Sequence, residues 1–515
     1  MENQTRRKFL KAVSSTVLSV GSLSLLSSIN NIQCSSNKSN IPNIVFIMAD
    51  DMGYGDAGCY NSDSMIPTPN IDRLAEEGVR FTDAHTPAAL CTPTRYGLLT
   101  GRYCWRTRLK RGVLLGYDET SLIEPERTTI ADLLKNKGYN TACIGKWHLG
   151  LNWPTKSGYK LKDDGNKWKE PVFKENEEHI DFTRPIGGGP IELGFDYFFG
   201  TAGCSTSDPP YCFIENNRTV SIPVRMSPKK YDKLPGFVRG LMADDWSEED
   251  VDPVFTKKSI KFIENHLQKD PDNPFFLYLA LSSPHIPWLV PDFIKGKSQE
   301  GPRGDLVVLV DWCVGQILDT LDKYNLAENT LIIFTSDNGP RKGANGHKSA
   351  GEFRGYKAQI WEGGHRVPFI ARWPGKIKLA TMCDELISLT DMFATFAAIV
   401  GARLRKNEAE DSFNILPALL GKSVPNSTSQ ARIFHSGGGV FAIRQGKWKL
   451  IQGTKGPGSR PLKIDKDLLN SVGQLYDMEN DPYEKNDLWD KHPDVVKKLL
   501  RLLEKCKKQG YSRDL

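Results

Sequence analysis

The sequence predicts an α/β protein: a large, mostly parallel β-sheet covered by helices on both faces, then a smaller C-terminal α+β domain with a short antiparallel sheet. Three observations carry this. From Ile41 to about Val400 short β-branched or aromatic runs alternate with amphipathic helical patterns, as the crossover connections of a parallel sheet require. After Gly401 the pattern changes to short strands and one long terminal helix. The chain has 515 residues, 39% hydrophobic and 25% charged, enough for one large core and a satellite domain.

The first forty residues stand apart. Arg6-Arg7 precede an apolar, serine-rich stretch, Ala12 to Leu26, that is too short for a convincing membrane span and resembles a twin-arginine export signal. A polar tether follows, so the reading is export signal and tether over 1–40, a catalytic domain over 41–401 and the small domain over 402–515. The expected partner is the twin-arginine export machinery, and the expected location is the periplasm or cell surface, with no transmembrane span in the mature protein. Cys34 stands where a lipoprotein cysteine could be acylated.

Taken in order, Ile44 to Ala49, Tyr139 to Ile144, Pro274 to Leu281 and Leu331 to Phe334 read as buried strands. Thr129 to Lys137 reads as a helix closed by Gly138, and Leu306 to Tyr324 as a helix with Val310, Val314, Ile317, Leu318 and Leu321 on its apolar face. Leu151 to about Asp250 has little periodicity and is expected to form long excursions at the sheet's rim. In the small domain Gly439 to Arg444 and Lys447 to Gln452 read as strands, and Pro493 to about Lys507 as the closing helix.

A net charge of +6, spread along this length, argues against a nucleic-acid groove and against a membrane surface. Ten cysteines without a CxxC pair or a His/Cys cluster in sequence make neither a zinc motif nor a disulfide scaffold, although Cys204 and Cys212 are near enough in sequence to pair.

Active sites of open α/β sheets lie beyond the carboxyl ends of the strands. The first strand ends in Asp50-Asp51 and the Leu331 strand runs into Asp337-Asn338; the Tyr139 strand leads to Lys146 and His148, and the Pro274 strand to His285. Three carboxylates and an amide oxygen make the all-oxygen shell that a hard divalent cation, Ca²⁺ or Mg²⁺, prefers, whereas zinc favours nitrogen and sulfur. An Asp-Asp or Asp-Asn pair alone is more often a cap or turn. Two such pairs, with basic residues at two further strand ends, favour a site.

The most specific segment is Cys91-Thr92-Pro93-Thr94-Arg95, continued to Thr100-Gly101-Arg102. With it, Asn43 to Asp51, Gly145-Lys146-Trp147-His148-Leu149-Gly150, Pro284-His285, Ser336-Asp337-Asn338-Gly339, and Lys357 with Trp361 to Pro368, the chain resembles the formylglycine-dependent, arylsulfatase-like sulfatases of the alkaline phosphatase superfamily. The likeness implies an alkaline phosphatase-like fold and hydrolysis of sulfate esters. It implies that a formylglycine-generating maturation enzyme oxidises Cys91 to an aldehyde, and that one hydroxyl of the hydrated aldehyde attacks sulfur. A second hydroxyl then eases turnover, because losing its proton reforms the aldehyde and expels sulfate.

By the same likeness Asp50, Asp51, Asp337 and Asn338, with an oxygen of modified Cys91, hold one Ca²⁺, and Arg95 holds the formylglycine in place. Asp337 accepts the nucleophile's proton, and Lys146 and Lys357 neutralise charge on the sulfuryl group. His285 serves as general acid and His148 as the base that triggers sulfate release, roles that Lys357 could share. The expected substrate is a sulfated polysaccharide or oligosaccharide, with 6-sulfated galactose or N-acetylgalactosamine preferred by family likeness. Rim residues Ser207, Asp208 and Tyr211, between Cys204 and Cys212, are either sugar contacts or merely structural; His435 is expected on a surface turn, the other reading being that it reaches toward the pocket from the second domain. The rival readings are a phosphodiesterase or phosphonate monoester hydrolase of the same architecture, and a non-catalytic glycan-binding protein.

Overall fold

A computed structural model describes residues 41–117, 120–162, 170–454, 468 and 471–513. The expected export segment 1–40, with Cys34, lies outside the described residues. Among the described residues no helix is long and apolar enough to cross a membrane.

The main sheet is assembled in chain order from β1 (Asn43–Ala49), β2 (Val79–Phe81), β3 (Asn140–Lys146), β4 (Tyr197–Thr201), β5 (Ile214–Glu215), β6 (Arg218–Thr219), β7 (Phe275–Ala280), β8 (Thr330–Ser336), β9 (Phe369–Arg372) and β10 (Thr381–Cys383). Its spatial order is β10-β2-β9-β8-β1-β7-β3-β4-β5-β6. The central run β8-β1-β7-β3-β4 is wholly parallel, and the antiparallel pairs lie to either side of it. Parallel strands covered on both faces must be apolar on both faces, which is why Ile44 to Ala49 and Leu331 to Phe334, within β1 and β8, read as unbroken apolar runs.

Pairing places Ala49 beside Ser336 and Met48 beside Ala280, with Ala280 beside Gly145. Four chain segments therefore leave the sheet at the same edge, the edge at which α/β ligand sites form. Gly145 is required there: it has φ +119°, and a β-carbon at this position would come 1.9 Å from the Ala280 carbonyl.

Helices α1 (Pro69–Glu76), α2 (Cys91–Thr100), α3 (Ile130–Lys135), α4 (Val251–Lys269), α5 (Pro302–Lys323) and α6 (Met392–Ile399) accompany the sheet. Thr129 caps α3 with a reciprocal pair, its hydroxyl accepting from Asp132 N at 3.2 Å and its own N–H donating to Asp132 Oδ2 at 2.9 Å. A cap of this kind stabilises a helix by about 1 kcal/mol. Helix α5 begins four residues before the expected Leu306, because Pro302 suits the first turn, where a missing N–H costs nothing.

The C-terminal part has a separate antiparallel sheet, β11 (Ala431–His435), β12 (Phe441–Gln445), β13 (Trp448–Gln452) and β14 (Gly473–Asp477), backed by helix α7 (Pro493–Gln509). Its apolar cluster of Ile433, Ile443, Leu450, Leu475, Leu499 and Leu503 also takes in Tyr103 and Trp105, which follow α2. That shared cluster anchors the helix carrying Cys91.

Two expectations change, and one question left open by the sequence is answered. The stretch from Leu151 to Asp250 is not all excursion: it contains β4, a full member of the parallel core, and a helix at Glu170–His179. Its mix of Gly, Pro and Lys hid these two elements and the short strands β5 and β6 as well. His435 is not on a surface turn but ends β11, 4% exposed, where its backbone carbonyl accepts from Ala89 N at 2.9 Å. Cys204 and Cys212 are unbonded, as are all the described cysteines.

Candidate active site

The strand ends converge as their order implies. Asp50 and Asp51 follow β1, Asp337 and Asn338 follow β8, and Lys146 ends β3 with His148 just beyond; all six are essentially buried. Cys91 is the first residue of α2, with the N-terminal peptide groups of the helix behind it. Ligand atoms of Asp50, Cys91 and Asp337 lie within 4.8 Å of one another.

Arg95, one turn further along α2, donates through Nε (3.1 Å) and Nη2 (2.8 Å) to Asp337 Oδ2, and through Nη1 to the Lys146 carbonyl (2.9 Å). It therefore ties two strand ends to the helix, and its direct hydrogen-bond partner is Asp337 rather than Cys91. Asp337 Oδ1 accepts from the Asp51 amide at 3.3 Å. Lys146 Nζ pairs with Asp50 Oδ2. Lys357 Nζ pairs with Asp51 Oδ1 at 2.5 Å, and Asn338 Nδ2 donates to the same oxygen at 2.8 Å.

Three oxygens of this set have no hydrogen-bond partner although they are buried: Asp50 Oδ1, Asp51 Oδ2 and Asn338 Oδ1. Leaving a buried acceptor unmade costs about 1–3 kcal/mol, so three in one place call for a donor of positive charge. Hard oxygen donors from two carboxylates and an amide, with Asp337 beside them, fit a calcium-like cation and do not fit zinc. Burial and the adjacent Asp50 carboxylate push Asp337 well above the ordinary carboxylate range despite Arg95. Burial also opposes ionisation of Asp51, but Lys357, His285 and Arg341 outweigh it and hold that carboxyl well below its ordinary range.

The two histidines differ in what they offer. His148 donates from Nε2 to the Leu114 carbonyl at 2.6 Å, which leaves Nδ1 as its acceptor, with Cys204 Sγ beside the ring at 3.7 Å from Nδ1 and 4.0 Å from Nε2. His285 donates from Nδ1 to the Ile286 carbonyl at 2.7 Å, and its Nε2 stands 3.9 Å from Asp51 Oδ2. Burial and then Lys357 hold His285 down at about 4. Burial pushes the Cys91 thiol up, but the hydrogen bond with Cys204 and the charges of Lys146 and His148 more than offset it, so it lies well below the thiol range.

All ten site residues named from the sequence thus share one region. Two neighbours had been missed. Cys204 Sγ lies between the histidines, 3.9 Å from His285 Nε2, and no motif marks it because a packed loop brings it there. Arg341, four residues after Asp337, is the site's solvent-exposed cation, with Nε 3.7 Å from Asp51 Oδ2 and a side chain 44% exposed. Its closeness to the Asp337-Asn338 strand end was the available signal. Of the two readings left open for Tyr211, the structural one fits: the residue is fully buried, its hydroxyl donating to the Val238 carbonyl at 2.6 Å.

The family profile described as Sulfatase matches residues 42–402. An N-acetylgalactosamine-6-O-sulfatase of Bacteroides thetaiotaomicron is 35% identical over 513 residues, covering 90% of this chain and 93% of its own. Human arylsulfatase A is 33% identical, covering 87% of this chain and 83% of its own. A solved Bacteroides thetaiotaomicron structure, described with that organism's metabolism of multiple glycosaminoglycans, aligns at TM-score 0.77 and 34% identity, covering 91% of this chain and all of that one.

Proposed function

We propose, since this chain belongs to the sulfatase family and is a hydrolase of sulfate esters, that it removes an O-sulfate from a sulfated poly- or oligosaccharide, by a formylglycine made from Cys91 and with one bound calcium. The single observation that carries the metal is the trio of buried, unpartnered oxygens on Asp50, Asp51 and Asn338. These residues, with Asp337 and an oxygen of converted Cys91, would hold the ion, which when bound would polarise the sulfate oxygens and acidify a hydroxyl at position 91. In the structure Cys91 Sγ stands where those aldehyde-derived oxygens would be.

The remaining chemistry belongs to the chain. The carboxylates of Asp50, Asp51 and Asp337 are matched in number by Lys146, Lys357 and Arg95, so a divalent cation would leave the pocket positive, the sign an anionic ester needs. Lys146 and Lys357 are held by their pairs with Asp50 and Asp51, and so stay aimed at a sulfuryl group without reorganising. His148 accepts a proton at Nδ1, because its Nε2–H is committed to Leu114. Any proton leaving His285 must come from Nε2, and the negative charge of a bound ester would raise its affinity for that proton. Lys357 is the alternative donor.

Support for a 6-sulfated N-acetylgalactosamine comes from the name of the 35%-identical relative. The proposal extends to export by a twin-arginine signal in 1–40, to a cell-surface or periplasmic location, and to a domain boundary near 402. Converted protein is to be assayed on positional isomers of sulfated galactose and N-acetylgalactosamine. Preference for the 6-sulfates is expected; selective cleavage at another position would overturn the substrate assignment, and faster turnover of a matched aryl phosphate diester than of the aryl sulfate would overturn the ester class.

A further inference from the structure

The oxygen-rich side of the pocket has a counterpart made of sulfur and nitrogen. One ligand atom each from Cys91, His148 and Cys204 lie within 4.8 Å of one another, and all three residues are buried, at 2%, 0% and 4% exposure. Cys204 Sγ is 3.7 Å from His148 Nδ1. In a tetrahedral zinc site, with Zn–S near 2.3 Å and Zn–N near 2.0 Å, a sulfur and a nitrogen ligand stand roughly 3.5 Å apart. Cys204 Sγ is also 4.0 Å from His148 Nε2, so it stands beside the ring, and its side chain must rotate to share an ion with the Nδ1 lone pair.

The outer contacts are also those of a metal-binding histidine. A ligating imidazole nearly always donates its other N–H to a carbonyl or carboxylate, which fixes the tautomer and aims the free nitrogen. His148 does this with Leu114 at 2.6 Å. Leu90 and Val113 pack against the two sulfurs and give them an apolar surround.

We infer that the chain in its thiol form, before Cys91 is converted, binds one thiophilic d¹⁰ cation such as Zn²⁺ through Cys91 Sγ, Cys204 Sγ and His148 Nδ1, with water in the fourth position. Binding displaces whatever protons the two sulfurs still carry, which leave to solvent, and no oxidation is involved. Conversion of Cys91 replaces one of the two sulfur donors by oxygen, so the thiophilic site and the matured nucleophile exclude each other.

The inference rests on Cys91 being the residue that is matured, but its test does not use turnover. Full-length protein made without the maturation enzyme, with Cys91 shown to be a thiol by peptide mass, is titrated with Zn²⁺ against a chromophoric chelator, and in parallel with Co²⁺. One equivalent is expected, with thiolate-to-cobalt charge-transfer absorption and the visible bands of a tetrahedral ion. Cys204→Ser and the converted protein should each bind at least about 100-fold more weakly, more than the loss of an outer-shell partner costs. Cys212→Ser should be unchanged. Absence of the charge-transfer band in the parent overturns the site whether or not the variants fold, and so does undiminished affinity in Cys204→Ser. Failure on sulfate esters, by contrast, would count only against the proposed function.

Discussion

Replacing Arg95 by Met separates the structural from the electrostatic part of the site. The guanidinium is fully buried, and its removal deletes two hydrogen bonds to Asp337 Oδ2 and one to the Lys146 carbonyl while leaving an apolar chain of similar length. Breaking a buried pair by removing one partner costs about 3–5 kcal/mol. Asp337 can escape part of that by taking a proton, which places the expected loss near 3 kcal/mol. Unfolding entropy near 2 cal/mol/K per residue, over a unit of roughly 470 residues, converts this to a fall in Tm of about 3 °C. Calcium changes the result. If Asp337 is a ligand, the bound ion becomes its counter-charge, so the variant should lose at most about half as much in saturating calcium as in chelator. By linkage, calcium should then raise the variant's Tm more than the parent's. Differential scanning calorimetry of both proteins at neutral pH, with calcium and with chelator, measures all four values. An equal or larger loss in calcium would refute the assignment of Asp337 to the metal.

The other expectations are simpler to state. His148→Ala should lower steady-state kcat by about 10²–10⁴-fold, the range for a lost general base. Rapid-mixing assays should still show about one equivalent of alcohol released before slow turnover, whereas loss of that burst would mean His148 acts in the first step. Lys357→Met should lower kcat by about 10²–10³-fold with a smaller change in KM, since charge stabilisation grows as the S–O bond breaks; a pure KM effect would make it a binding residue only. For pH, burial and then Lys507 hold His435 at about 4 against an ordinary 6.5. The unfolded chain therefore takes up that proton first, so the contribution to stability is complete above 6.5 and is lost as pH falls from 6.5 towards 4, by up to about 3 kcal/mol. Urea unfolding between pH 7.5 and 4 should show a shallower decline for His435→Gln; parallel curves would reject this account.

What was legible in the sequence follows from how each residue is placed. Asp50, Asp51, Asp337 and Asn338 could be found because a fully buried parallel strand must be apolar throughout, so the first charged residues after such a run mark its carboxyl end. The order of the strands was not legible, since β8, β1, β7 and β3 meet through crossovers whose lengths do not encode adjacency. Arg95 was recognised by its motif, but its partner was not, because the choice between Cys91 and Asp337 is made by the packing of α2 against β8. Cys204 had no local pattern at all. The loop that carries it is held from below by Tyr211, which is buried against Phe237 and bonded to Val238, contacts made between residues with no periodic relation. Helical and strand periodicities report which face of an element is buried, and a loop has no such face. The residues of this site that come from strand ends and from the motif of α2 were therefore readable, while the residue that sits between its two histidines could emerge only from the folded chain.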